Sequence, residues 1–292
     1  MTGHPQDPDR RLLRWPALRQ AAMSTGAGRW AQNGALALVA LTTVVAMLAG
    51  LLAPHDPVQP VGGLSQPPGS SGFLFGTDAI GRDLLSRTLI GVRTSWFSAL
   101  LVVLVGLFIG GVIGLVAGSF GGWVDALLMR ATDLFLALPS ALVTIAVVAA
   151  LGPSLRNTLI GISIVWWPYY ARIIRGEVRA IATRPHIEAA RLSGVGPIRL
   201  IVRHILPGAI PTAIVAASLD IGNVVLLLAG LSFLGLGQAA PAAELGADSA
   251  RGLNVLLTDW WVPVVPGIAV LVLSLIANLG GDALGNRLAA RR

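Results

Sequence analysis

Six separated runs of mostly apolar residues, at about 34–53, 95–118, 132–151, 158–174, 209–236 and 261–280, dominate this chain of 292 residues. A bilayer's hydrocarbon core is about 30 Å thick and takes about 20 apolar residues to cross as a helix. The runs are continuous rather than alternating, which excludes barrel strands and leaves helices to satisfy the backbone inside lipid. Composition agrees, with 54% hydrophobic and only 12% charged residues, where soluble domains carry about 25% charged. The mean hydropathy of +0.75 has the same cause. The expected fold class is an all-α integral membrane protein with six transmembrane helices. A cleaved signal peptide is the competing reading of the first run, and the five runs behind it argue against that.

Charge then sets the orientation. The net charge is +7 and the pI near 11.4, values that would suggest nucleic acid if the charges lay on one soluble face. All 21 basic residues are Arg. With six spans, sixteen of them fall on the side of the two termini and of the 119–131 and 175–208 loops, and five on the other. The positive-inside rule therefore places both termini in the cytoplasm, and topology accounts for the charge without nucleic acid. The absence of Lys matters separately, because a P-loop needs Lys to reach the β- and γ-phosphates of ATP. The absence of Cys excludes disulfides, thiolate metal sites and cysteine nucleophiles. His4, His55, His186 and His204 all lie outside the spans, and no HExxH or GxSxG pattern occurs, so a membrane enzyme finds no support.

Along the chain, residues 1–33 read as a polar cytoplasmic tail, 34–53 as the first span and 286–292 as a short cytoplasmic C-terminal tail. Residues 54–94 read as an external connector, Pro-, Gly- and Ser-rich at 54–75. Thr77 or Asp78 is then expected to cap an amphipathic surface helix carrying Ile80, Leu84, Leu85, Leu89 and Val92. Residues 95–285 hold the remaining five spans. Gly106, Gly110, Gly114 and Gly118 recur every four residues and make a flat strip against which another helix of the chain can pack closely. Pro139, Pro168, Pro263 and Pro266 fall inside spans and invite bends.

The loop between the fourth and fifth spans, about 171–207, is too elaborate for a connector. Ile173, Ile174, Val178 and Ile181 recur at helical spacing, as do Ile198, Ile201, Val202 and Ile205. Pro185 and the run Gly194–Val195–Gly196–Pro197 divide it into short helices. An amphipathic segment lying on anionic lipid would explain its basic charge but not its paired breaks.

Glu188–Ala189–Ala190, three residues, Gly194, and then Leu206–Pro207 resembles the EAA loop of permease subunits of ATP-binding cassette importers. His204 stands where that pattern has Ile. Gly76–Thr77–Asp78, Gly81–Arg82–Asp83 and Ser86–Arg87 resemble a block of the peptide and nickel subfamily, as do 118–140 and Leu231–Ser232–Phe233–Leu234–Gly235–Leu236–Gly237. The likeness covers about residues 70–285 and is to the "C" type of the two permeases. The sequence departs from the family at Leu228, where a Glu is usual, and at Ala243–Glu244–Leu245–Gly246, where Pro-Ser-Trp-Gly is usual.

The resemblance implies a type I importer permease fold with a cytoplasmic coupling helix, forming half of a pathway for di- or oligopeptides. Its implied partners are a homologous second permease, two ATPases docking on the loop, an extracytoplasmic solute-binding protein and membrane lipid. No cofactor is implied in this chain, ATP and Mg being bound by the ATPases, and the implied location is the bacterial inner membrane. Glu188, Ala189, Ala190, Arg191 and Gly194 would form the coupling helix and its turn, with Arg184 and Arg191 making peripheral ion pairs and Leu206–Pro207 closing the loop. Nickel or another small solute is the alternative cargo.

Asp220 falls within the fifth span with Asn223 and Thr212 on one polar stripe. A carboxylate there costs about 2.5–3.5 kcal/mol on insertion scales. It either faces the pathway and meets a cationic group of the cargo, or is hydrogen-bonded to the partner permease. A proton-coupled secondary transporter using Asp220 as relay is the more distant alternative, disfavoured by the solitary acid and the lack of visible halves.

Overall fold

The computed structural model describes residues 26–290. Ten α-helices follow one another among them: α1 (Gly26–Leu52), α2 (Leu84–Phe120), α3 (Gly122–Leu136), α4 (Ser140–Leu151), α5 (Leu155–Ala182), α6 (Pro185–Leu192), α7 (Pro197–Leu200), α8 (Leu206–Phe233), α9 (Leu245–Gly252) and α10 (Trp261–Ala289). A π turn at Ile201–Ile205 joins α7 to α8. The described residues contain no β-strand, only isolated bridges Ser70–Phe73 and Thr77–Asp83.

Four stretches are long and apolar enough to cross a membrane: Arg29–Leu52, Leu84–Phe120, Pro197–Phe233 and Trp261–Ala289. A fifth crossing results if α3 and α4 form one broken span. The expected third span at 132–151 is therefore not a straight helix. Its chain turns by 83° between α3 and α4, where Pro139 is the N-cap of α4. The fourth expected span, 158–174, lies within the 28-residue α5, but α5 is not among the helices that qualify by length and composition. Two Trp, Pro168, two Tyr and Arg172 dilute its apolar residues, and Pro168, Tyr170 and Ala171 are buried by the rest of the bundle. Length and composition alone identify four or five crossings, and the 28-residue α5, packed lengthwise against the glycine strip of α2, has the length of a further one.

The boundaries move too. Helix α1 begins at Gly26, inside the segment expected to be tail, and α10 continues to Ala289, past the expected end at 285. Residues 1–25 and the last two of the 286–292 tail lie outside the described residues. The separate amphipathic helix capped by Thr77 or Asp78 is replaced by a single α2 of 37 residues, about 55 Å long at 1.5 Å per residue. Its N-cap is Asp83, whose carboxylate accepts from the Leu85 and Ser86 amides. Thr77 and Asp78 are engaged elsewhere, Thr77 between the Gly63 carbonyl and the Gln66 amide, and Asp78 on the Ile80 and Arg82 amides of its own turn.

The core is a bundle of α2, α5, α8 and α10, with Trp96, Val102, Ile162, Tyr170, Val224, Leu228 and Leu273 among its buried side chains. The glycine strip of α2 lies against α5. At Gly110 a Cβ would overlap the Trp167 carbonyl oxygen, and at Gly114 it would stand 2.5 Å from the Ala171 carbonyl oxygen. The strip thus serves close packing within the chain. Helix α1 joins the bundle from one side, where the Trp96 indole donates to the Thr43 hydroxyl at 3.2 Å. Leu41, Met47 and Leu51 of α1 stay exposed, as helix faces turned to lipid would be.

Candidate functional site

The loop between α5 and α8 is a small folded body. Helix α6 starts with Pro185 in its first turn and Arg184 as N-cap, the Arg184 carbonyl accepting from the Ile187 and Glu188 amides at 2.9 and 3.3 Å. It ends where the Gly194 amide donates to the Arg191 carbonyl at 3.0 Å and the Val195 amide to the Ala190 carbonyl at 3.2 Å. These paired bonds form a Schellman motif, which requires a left-handed residue after the cap. Gly194 occupies that position with φ of +79°. The glycine is needed for its backbone alone, since open space surrounds its α-carbon.

A second apolar cluster fastens this body to the bundle. Ile174, Val178 and Ile181 of α5, Ile187 of α6, Leu200 of α7, Ile205 and Ala209 bury their side chains together. Ile187 is fully buried, while Glu188, Ala189 and Arg191 on the other faces of α6, together with the cap Arg184, are exposed. Leu192 and Ile198 are exposed large apolar residues beside them, at 85% and 74%. Leu206 and Pro207 form the first turn of α8, and His204 lies in the π turn before it. The carboxylate of Glu188 joins no ion pair among the described residues. The ion pairs nearby belong to α3 and α5, with Asp125 held by both Arg175 and Arg179, and Asp133 by Arg172.

Asp220 on α8 is buried within its own chain. One carboxylate oxygen accepts from the Trp166 indole N–H at 2.6 Å and the Tyr170 hydroxyl at 2.9 Å, both on α5. The other accepts from the Asn223 amide at 3.1 Å. Thr212 is not part of this cluster. It lies two turns away, in a groove of about 450 Å³ lined by Tyr169, Ile173, Pro211, Val215 and Leu219. Sequence reasoning missed Trp166 and Tyr170 as partners of Asp220, although their i, i+4 spacing puts them on one face of α5.

At the opposite end of α8, Glu244 occupies the position of an expected family mismatch and is buried. Its carboxylate accepts from the Ser232 hydroxyl and, at 2.8 Å, from the Gln238 amide. Burial pushes its pKa above the ordinary 4.5, against the effect of those two bonds. Nearby, the buried Arg87 donates to the Pro57, Pro241 and Ala242 carbonyls and to Asp248 at 2.6 Å, tying the 54–83 connector to α9.

A bundle of membrane-length helices with a compact helix suspended between two of them defines a multi-pass membrane protein with a folded loop. Comparison with known proteins places the chain further. The model of the binding-protein-dependent transport system inner membrane components matches residues 110–291, and the chain belongs to this family. It is 40% identical over 249 residues to the probable D,D-dipeptide transport system permease protein DdpC of Escherichia coli (strain K12), covering 85% of this chain and 83% of that one. To the di/tripeptide transport system permease protein DppC of Pseudomonas aeruginosa it is 40% identical over 261 residues, with 87% and 86% covered. To the nickel transport system permease protein NikC of Escherichia coli (strain K12) it is 37% identical over 262 residues, with 89% and 94% covered. Among solved structures, an amino acid ABC transporter determined with histidines aligns at a TM-score of 0.56 and 18% identity, covering 69% of this chain and 94% of that one. The inward-facing MetNI methionine ABC transporter aligns at 0.51 and 21%, covering 68% and 96%. At those identities the likeness is one of fold.

Proposed function

We propose that this chain forms half of the translocation pathway of a peptide importer and couples it to separate ATPase subunits. The observation that carries this reading is α6, sealed to α5 and α8 on its inner face by Ile187 and exposed on its other faces through Glu188, Ala189 and Arg191. A subunit docked on that exposed surface can push both helices at once, a rigid-body transmission of the hinge or shear type. The chain has no Lys for a P-loop, which supports ATP and Mg binding by partners. Arg distribution supports cytoplasmic termini and a loop facing the ATPases, so the 54–83 connector and α9 face the solute-binding protein. A second, homologous permease completes the pathway.

Peptide cargo is supported by the dipeptide and di/tripeptide relatives. Nickel is the second reading, supported by the NikC relative. Reconstitution with the partner permease, ATPases and binding protein in proteoliposomes tests both. The expected result is ATP-dependent dipeptide uptake that an uncoupler leaves unchanged. Uptake of Ni²⁺ without peptide uptake would favour the second reading, and proton-driven uptake without ATP would overturn both.

A further inference from the structure

A cavity of about 190 Å³ lies where the turn Asp78–Arg82, the start of α2 and the end of α9 meet. Five charged side chains line it: Asp78, Arg82, Arg87, Asp248 and Arg251. Most of their bonding capacity is used. Arg87 is spent on three carbonyls and Asp248, and Arg251 donates to Asp248 at 2.8 Å and to the Ala242 and Gln238 carbonyls. Arg82 differs. Its Nε donates to Asp78 at 2.6 Å, and its two terminal nitrogens have no acceptor among the described residues, although the residue is only 8% exposed. Those nitrogens are not sealed from solvent but open onto the cavity, where a carboxylate can replace water as their acceptor. Three Arg against two Asp leave the lining with one net positive charge.

We propose that this cavity receives a carboxylate from an acidic side chain of the extracytoplasmic solute-binding protein, with Arg82 as its anchor. The planar fork of the guanidinium matches a carboxylate in bidentate geometry, and one such group neutralises the site. The exposed Ile80 and the apolar Ala79, Leu84 and Val255 around the charges suit the methylenes of a Glu or Asp better than a fully hydrated ion. The site is also mechanically placed. Asp78 and Arg82 precede α2 directly, while Asp248 and Arg251 sit on α9 ahead of α10, so an inserted side chain bridges two bundle helices at their outer ends. This inference rests on the importer reading and on the orientation proposed with it.

The test uses the assembled complex in nanodiscs and the binding protein that stimulates its ATPase, with association read by biolayer interferometry. Arg82→Gln is expected to weaken association at least tenfold. Because that change also removes the partner of Asp78, Ile80→Glu provides a second probe. It keeps the Asp78–Arg82 pair and puts a carboxylate at the cavity mouth, where it competes with the incoming one. Ile80→Glu is expected to weaken association at least tenfold, and Ile80→Gln less than twofold. Neutralising the binding protein's acidic residues one at a time should reveal one whose loss weakens the wild-type complex equally and adds nothing to Arg82→Gln. Wild-type association by both Arg82→Gln and Ile80→Glu overturns the inference and leaves the importer reading intact. A wild-type complex that recruits no binding protein overturns both.

Discussion

Trp166 on α5 donates its indole N–H to Asp220 on α8 at 2.6 Å. With Tyr170 donating to the same oxygen, the carboxylate ties together the two helices between which the α6 loop is suspended. In the proposed coupling, a push on the loop would reach α5 and α8 as one unit, from the Ile187 cluster at one end to the Asp220 cluster well inside the bundle.

Asp220→Ala should loosen this tie. It strands three donors, two of them on α5; a stranded donor costs about 1–3 kcal/mol in a soluble core, whereas membrane interhelical bonds average about 0.6 kcal/mol. A stability loss of about 1–3 kcal/mol is expected, and a smaller one for Asp220→Asn, which keeps an acceptor oxygen. Since both carboxylate oxygens are already occupied by donors of the same chain, uptake of cationic and neutral peptides should fall together. Parallel uptake assays on the two cargo classes decide this, and a selective loss of cationic cargo would put the carboxylate in contact with the substrate.

Gly194→Val should uncouple the complex without unfolding the bundle. The left-handed φ of +79° penalises a residue with a Cβ by about 1–2 kcal/mol, and the β-branched side chain adds its own restriction. Nothing crowds the site, so the strain falls on the turn alone and shifts α6 relative to α7 and α8, which follow it. Insertion at wild-type level with loss of ATP-dependent uptake is expected, and Gly194→Ala should be milder. Undiminished uptake by the Val variant would show that the turn geometry is dispensable.

Two neighbouring glycines of α2 make an internal control. Gly110 faces the Trp167 carbonyl and the Tyr170 Cβ, whereas Gly111 faces open space. Gly110→Ala must push α2 and α5 apart, an overpacking change that costs about 1–3 kcal/mol. Gly111→Ala should be neutral or slightly stabilising, through the helix propensity gain of about 1 kcal/mol. Thermal unfolding in one detergent should order them with Gly110→Ala lowest, and equal midpoints would show that the strip does not set the helix spacing.

The parts of this fold legible in the sequence are those that a single physical demand dictates. Lipid requires long apolar helices, so α1, α2, α8 and α10 announce themselves. Gly194 and Pro185 mark the ends of α6 because only special backbone geometry permits those turns. The choice among Thr77, Asp78 and Asp83 as helix cap could not be read locally, since all three side chains can cap. It is settled by loop contacts from Gly63 and Gln66 that occupy Thr77. Likewise α5 is hard to read as a span, because Trp166 and Tyr170 face Asp220, 54 and 50 positions away, rather than lipid. Asp220 drew attention as a lone acid, but its donors on α5 are 54 and 50 positions distant and have no signature in its own neighbourhood.

Glu244 gives stability a pH dependence with a definite sign. Its folded pKa lies above the ordinary 4.5 because burial disfavours the charged form. Between 4.5 and that raised value the folded chain holds a proton that the unfolded chain has released. Stability from this group is therefore complete below pH 4.5 and is lost as pH rises through the folded pKa. Glu244→Gln stays neutral throughout. Its carbonyl can accept from the Gln238 amide and its NH₂ can donate to the Ser232 hydroxyl, so both bonds of the native carboxyl keep a counterpart. Thermal unfolding across this pH window should show the wild type losing stability with rising pH relative to the variant, the two converging at the acid end. Parallel curves would mean that the buried carboxyl is charged in the folded protein, held by the hydroxyl and amide donors against the penalty of burial.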